Sequence, residues 1–428
     1  MRAPRTACDE PAGDPDPETD PLAWMERDLQ NIRCSRQHSE DQLTNPEFLL
    51  RHGLNAGSMY LENVRDQLLE PTRLHVNPVF WSPGARVSDP FRIAEDWEKA
   101  GRGQTRLVSF LSRNGTRIIA RLFAPNAPTE VASLPGVTVT PGLQAYHELY
   151  NWLAQGLAEA GYMVLAIDPE GQGRSESGAG QTNTQPETED AIDFLLSDEN
   201  PLRAYLDPER IGIVGHSLGA SAVSRIGAAD PRVKAVVAFD SLSRVSDELA
   251  ESIHAPSLSL TGDYPFPLPN GVPASPSNPP NPDARAGAFD QVTGKEVDAM
   301  LVSLRSATHY EWSYLPFPSG TVLTASRYGE RVSMHYTLAW FDRYLKEDAS
   351  AFERLTALVF DDSADASSIG QGTWDAATLQ NVPYEIAGDC VADRLSFYYH
   401  SRYRLTDGDG LLHQVGNLRA RGCPDAEE

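Results

Sequence analysis

The chain has 428 residues, 36 lysines and arginines against 60 aspartates and glutamates, a formal charge of −24, and 40% hydrophobic residues. Such a composition supplies a full-sized core and excludes disorder throughout. The acidity excludes a nucleic-acid partner, whose binding needs Lys and Arg to displace counterions, and no run reaches the roughly 20 apolar residues of a bilayer span.

In chain order, the first 21 residues hold five prolines and six acidic residues and read as a disordered or clamped arm, without the apolar stretch of a secretory signal. Phe48, Leu49, Leu54, Met59, Leu61, Val64, Leu68 and Leu69 predict helical segments between Pro46 and Glu70. Residues 1–104 are therefore expected to form an N-terminal extension.

Thr105–Ser112 and Thr116–Phe123 flank Asn114-Gly115, a dipeptide that tolerates positive φ, and predict an antiparallel hairpin. Apolar strand-like runs then alternate with helix-like ones. Val137–Thr140 precedes a helix over about Ala145–Ala160, and Met163–Asp168 precedes a helix near Glu187–Ser197. Ile211–Val214 precedes a helix over Leu218–Ala229, followed by strand-like Val233–Phe239, Ser257–Leu260 and Val297–Leu304 and a last helix over Val332–Leu345. Continuous apolar strands alternating with helices predict an α/β fold, a mostly parallel sheet covered on both faces.

Pro265–Pro282 carries eight prolines in eighteen residues and predicts an extended surface loop over the site, since proline fixes φ and lacks the amide donor. Beyond Lys346 the pattern changes, with strand-like runs at Leu355–Phe360 and Leu395–Leu405, so a core over 105–346 and a C-terminal appendage over 347–428 are expected. The four cysteines, at 8, 34, 390 and 423, all lie in the flanks. Of three possible pairings, Cys8–Cys34 with Cys390–Cys423 would staple each flank to itself and imply an extracytoplasmic protein; four free thiols in a cytoplasmic one is the alternative.

The chemistry centres on Gly215-His216-Ser217-Leu218-Gly219, set between a strand and a small-residue helix. Glycines two residues either side of a serine permit a strained strand-to-helix turn that exposes Oγ at the end of a helix dipole. A serine nucleophile needs a base, and His309, after the run Val297–Leu304, stands where this order of motifs requires one; His335 falls within the predicted last helix. Two aspartates close apolar strands and compete as the acid, Asp240 after Val233–Phe239 and Asp263 after Ser257–Gly262. The oxyanion amides are expected from Leu218 and, within Pro141-Gly142-Leu143-Gln144, from Leu143. Tyr146, Tyr310, Trp312 and Tyr314 are candidates for lining a pocket or for packing. Gly171-Gln172-Gly173 lacks the spacing of a dinucleotide fingerprint and reads as a loop.

From about residue 105 to 346 the chain resembles the α/β-hydrolase superfamily. Thr140-Pro-Gly-Leu143, Gly215-His-Ser-Leu-Gly219, Phe239-Asp240 and Thr308-His309 look most like the branch of platelet-activating-factor acetylhydrolases and bacterial polyester hydrolases and lipases. The acetylhydrolase resemblance implies Asp240 as the acid and the polyester hydrolases imply the later Asp263; Asp240 is preferred. The resemblance implies an α/β-hydrolase fold and a cofactor-free serine hydrolase that cleaves carboxylic esters through Ser217, Asp240 and His309. Acyl transfer, thioester or peptide hydrolysis by the same acyl-serine, or binding without catalysis, are its alternatives. The net charge disfavours anionic substrates at long range and points to neutral esters.

Overall fold

The computed structural model describes residues 94–424 apart from 127–132, 144, 177–183, 265–279, 310, 314–327, 362–372, 376–379 and 383–385, with isolated positions earlier. The acidic arm, the helical segments over 46–70 and the Cys8–Cys34 pairing thus fall outside the described residues save for isolated positions, as does nearly all of the proline-rich loop.

Among the described residues, ten strands form one sheet. Its first eight members in the chain are β1 (Gln104–Leu111), β2 (Arg117–Ala124), β3 (Leu134–Thr140), β4 (Met163–Asp168), β5 (Leu206–His216), β6 (Val233–Phe239), β7 (Ser257–Tyr264) and β8 (Ala299–Thr308). After a separate two-stranded ribbon of β9 (Thr373–Asp375) and β10 (Gln380–Val382), the sheet is completed by β11 (Arg402–Thr406) and β12 (Leu412–Val415). The order is β1-β2-β4-β3-β5-β6-β7-β8-β11-β12. The run from β4 to β8 is parallel, and the pairs at either side are antiparallel.

The central stretches of the parallel strands carry apolar residues on both sides because both faces are covered. Val137, Val139, Val164, Ala166, Val237 and Phe239 face one core with helices α1 (Asn151–Glu159) and α4 (Gly329–Leu345). Their neighbours Leu165, Ile167, Ile211, Ile213, Val236 and Ala238 face the other with α2 (Gln185–Leu196) and α3 (Leu218–Ala229). Period-two alternation distributes each strand between two cores, which the helices close. The hairpin at Asn114-Gly115 forms as expected, with Gly115 at φ 79°. The predicted helix over Ala145–Ala160 is split, a 3-10 turn at His147–Tyr150 leading into α1.

After residue 346 the chain returns to the sheet. β11 pairs antiparallel with β8, Arg402 opposite Leu301 and Arg404 opposite Ala299, while Tyr403 and Leu405 enter the core around α4. The run Leu355–Phe360, read as strand-like, instead begins in helix α5 (Ala351–Thr356). The short helix α6 (Val391–Arg394) is joined by a disulfide from Cys390 to Cys423, their Cα atoms 5.5 Å apart.

Closing this 33-residue span restricts the unfolded chain. A Cys390→Ser/Cys423→Ser variant should unfold with about 2–4 kcal/mol less stability in urea under oxidising conditions; a midpoint equal to the parent's would mean that the bridge braces nothing.

Candidate active site

Three strand ends and one helix start meet at Ser217. β5 ends at His216 and α3 begins at Leu218, so Ser217 alone makes the turn, at φ 56° and ψ −113°. The two glycines allow this by close approach of main chains. A Cβ on Gly215 would lie 2.3 Å from the Gly219 carbonyl oxygen, and one on Gly219 would lie 2.2 Å from that of Thr140. The Ser217 amide donates to the Phe239 carbonyl at 2.9 Å, tying the turn to the end of β6. As the first helical residue, Leu218 has an amide with no acceptor inside its own helix, at the positive end of the dipole.

Asp240, the residue after β6, takes φ 45°, and its amide donates to Leu260 at 2.8 Å. Its Oδ1 accepts from the Thr261 hydroxyl at 3.1 Å, and its Oδ2 lies 2.5 Å from Nδ1 of His309, which follows β8. With Nδ1–H directed at the carboxylate, the basic nitrogen of the neutral His309 ring is Nε2. The rings of His309 and His216 stand 4.7 Å apart, so His309 lies beside the residue preceding the serine. Asp263 stands elsewhere. It is buried and accepts from the hydroxyl of Ser396, whose Oγ also accepts the amides of Tyr398 and Tyr399. His335 is likewise remote from this chemistry, buried in α4 with Nε2 3.2 Å from the Arg354 carbonyl.

The loop after β3 lies directly over the serine. A Cβ on Gly142 would come within 3.1 Å of Ser217 Cβ, while the Leu143 side chain points to solvent, 64% exposed. The Gly142 amide donates to the Tyr150 hydroxyl at 3.1 Å, and its carbonyl accepts from Gln172 at 3.3 Å.

Behind that loop sits a second histidine–aspartate pair, with His147 Nδ1 2.6 Å from Asp168 Oδ1. The carboxylate also accepts the amides of His147 at 2.8 Å and Arg174 at 2.7 Å. Burial by itself would raise the Asp168 pKa, but the charge and hydrogen bond of His147 and the two amides outweigh it and hold it below the ordinary carboxyl value. A Cβ on Gly173, at φ 52°, would lie 2.2 Å from Asp168 Oδ2, so the Gly-Gln-Gly loop is a wrapper around this carboxylate. Sequence reasoning gave no role to His147, Asp168, Tyr150 or His216. The available signals were a strand-terminal aspartate followed by closely spaced glycines, and a histidine inside the serine motif.

The aromatic candidates divide. Trp312 is fully buried, its ring 5.7 Å from Phe239 and its Nε1–H donating to Ser333, and Tyr146 lies in the same core. Both therefore pack; Tyr310 and Tyr314 lie outside the described residues. Among the described residues, the side-chain group close enough to hold a metal ion is Cys390, Asp393 and Cys423, whose thiols form the disulfide.

Residues 135–262 match the family model described as serine aminopeptidase, S33. That stretch contains Ser217 and Asp240 and stops before His309. The chain is 24% identical to the cutinase est1 of Thermobifida alba over 52% of its own length and 64% of that protein's. It is 23% identical to a bis(hydroxyethyl) terephthalate hydrolase of Streptomyces coelicolor, over 51% of this chain and 60% of the relative. A thiohydrolase, apmlB, of Arthrinium phaeospermum is 32% identical over 32% of this chain and 43% of its own. The chain thus spans less than two thirds of the length of each of these relatives.

Gly219→Ala should destabilise the fold by at least the roughly 1–3 kcal/mol typical of overpacking, because the obstacle is main chain; an unchanged urea midpoint would contradict the contact with Thr140. Asp168→Asn should also destabilise. A folded pKa below the unfolded one contributes stability that is present above the unfolded value and is lost as pH falls through the folded value. The stability gap between parent and Asp168→Asn should therefore shrink below roughly pH 4; a gap that widens on acidification would reverse the sign argued here.

Proposed function

We propose that the chain, which matches a hydrolase family model over residues 135–262 and is similar to ester hydrolases, is an α/β-hydrolase that cleaves neutral carboxylic esters through an acyl-enzyme, with Ser217, His309 and Asp240 as nucleophile, base and acid. The observation that carries this reading is the His309–Asp240 pair at 2.5 Å beside the strained serine turn. The inner carboxylate holds the imidazole with Nδ1 protonated, so that Nε2 takes the Ser217 proton as Oγ attacks the ester carbonyl. The oxyanion that develops is received by the amides of Leu218 and Leu143. The Leu218 amide is free of its own helix, and Gly142 already donates to Tyr150, which leaves the next amide of the loop for this task. His309 then passes its proton to the leaving alcohol, and water, activated by the same nitrogen, releases the acid and regenerates Ser217.

The cutinase and terephthalate-ester relatives support an ester as substrate, and the negative net charge favours neutral ones. The thiohydrolase relative favours a second reading in which the same acyl-serine forms from a thioester; the two are separated by comparing oxygen and thiol esters of one acyl chain. The disulfide between Cys390 and Cys423 supports an oxidising compartment outside the cytoplasm.

A fluorophosphonate should label Ser217, and Ser217→Ala should abolish both labelling and hydrolysis of a short-chain nitrophenyl ester; full activity in that variant would refute the mechanism. Asp240→Asn should lower kcat by about a thousandfold or more, as loss of the carboxylate leaves His309 in the wrong tautomer, whereas Asp263→Asn should act mainly on stability. The opposite ranking would move the acid to Asp263.

A further inference from the structure

Building on the acyl-serine reading, we infer that Tyr150 and His216 are positioning residues that form one hydrogen-bonded strut, holding the oxyanion loop and the base-bearing loop at a fixed distance across Ser217. The strut has three links. The Gly142 amide meets the Tyr150 hydroxyl oxygen at 3.1 Å, the hydroxyl meets His216 Nδ1 at 2.7 Å, and His216 Nε2 meets the His309 carbonyl oxygen at 2.9 Å.

The direction of every link follows from its ends. The His309 carbonyl only accepts, so Nε2 carries the hydrogen of a neutral ring and Nδ1 takes the Tyr150 proton, while the Tyr150 oxygen accepts from the Gly142 amide and also bonds Ser313. The scheme needs a neutral His216. Burial, with the neighbouring His309, holds its pKa well below the usual histidine value, although its bond to the His309 backbone acts the other way. Burial likewise pushes the Tyr150 phenol well above its ordinary range, so it keeps the proton it must donate.

The surroundings leave the strut no slack. Tyr150 is 1% and His216 3% exposed, and the His216 ring is enclosed by Tyr150, His309 and Trp312 at centroid distances of 5.8, 4.7 and 5.9 Å. Imidazole supplies an acceptor and a donor on different edges of one rigid plane, which explains a histidine at a motif position where packing would accept an apolar residue. Its two outer links end on main chain, at the residue before the proposed Leu143 donor and at the proposed base itself. Positioning errors of about 1 Å in such groups reduce turnover by about a hundredfold.

The test compares kcat and KM per fluorophosphonate-titrated site for the parent chain, Tyr150→Phe, His216→Leu, their double variant, and His216→Gln. Tyr150→Phe and His216→Leu should each lower kcat about 10- to 100-fold with KM within about twofold. The double variant should be no worse than the poorer single one, because both cut the same strut. His216→Gln, which can still donate to the His309 carbonyl, should recover part of the loss. A purely structural role would reduce the number of titratable sites and leave kcat per site at the parent value, and that result would overturn the inference. Additive losses would overturn it as well. Failure of the parent itself to be labelled at Ser217 would instead bring down the hydrolase reading on which the inference stands.

Discussion

The site depends on contact between main chains where no side chain can enter. The Gly219 backbone lies so close to the Thr140 carbonyl, and Gly215 so close to the Gly219 carbonyl, that a single added carbon would overlap them. This contact brings the end of β3 against the start of α3, and the loop after β3 consequently passes over Ser217 at van der Waals distance. The same turn presents the Ser217 amide to Phe239, which fixes where β6 ends and hence where Asp240 begins. Strain at φ 56° is held in place by a packed, hydrogen-bonded frame and not by the serine itself.

Two histidine–aspartate pairs of the same chemistry lie in this frame, one buried and one partly exposed, and their surroundings separate them. His147 and Asp168 are sealed, at 1% and 0% side-chain exposure, and the carboxylate is further committed to two amides. Nothing there is open to solvent, so the pair acts as a brace under the loop that follows β3. His309 and Asp240 are 12% and 6% exposed, at the rim where the serine turn opens. An imidazole with one edge clamped and a position beside the elbow is suited to moving a proton, whereas a wholly enclosed one is suited to holding a loop.

Much of the central architecture was legible in the residues. α3 and β6 have the predicted bounds, Leu218–Ala229 and Val233–Phe239, because an uninterrupted apolar strand between two cores and a small-residue helix leave few alternatives. β5 was expected over Ile211–Val214 but extends back to Leu206, its polar Asp207-Pro-Glu-Arg stretch running along the rim of the sheet without an apolar signal. The C-terminal strands were legible only as local strand: the alternation of Arg402–Thr406 marks β11, but its partner β8 lies about a hundred residues earlier and nothing local names it. The serine turn and the histidine could be read from spacing, but two strand-ending aspartates could not be ranked by residues alone. What distinguishes Asp263 is a hydroxyl at Ser396, 133 residues away in sequence. The strut through Tyr150 and His216 was invisible for the same reason, since its links come from three separate segments.

The addition of β11 and β12 also bears on association between molecules. Without them β8 would end the sheet, and its Ala299, Met300, Leu301, Val302 and Leu304 are buried, an apolar strand of a kind that recruits other strands when its edge is bare. The hairpin covers the start of that edge, Ala299–Leu301, and transfers it to a four-residue strand whose side chains are alternately exposed and half-buried. The Cys390–Cys423 bridge fastens the surrounding segment at its far end. The residues after β8 therefore replace a long apolar edge with a four-residue one, which limits strand recruitment on that side of the sheet.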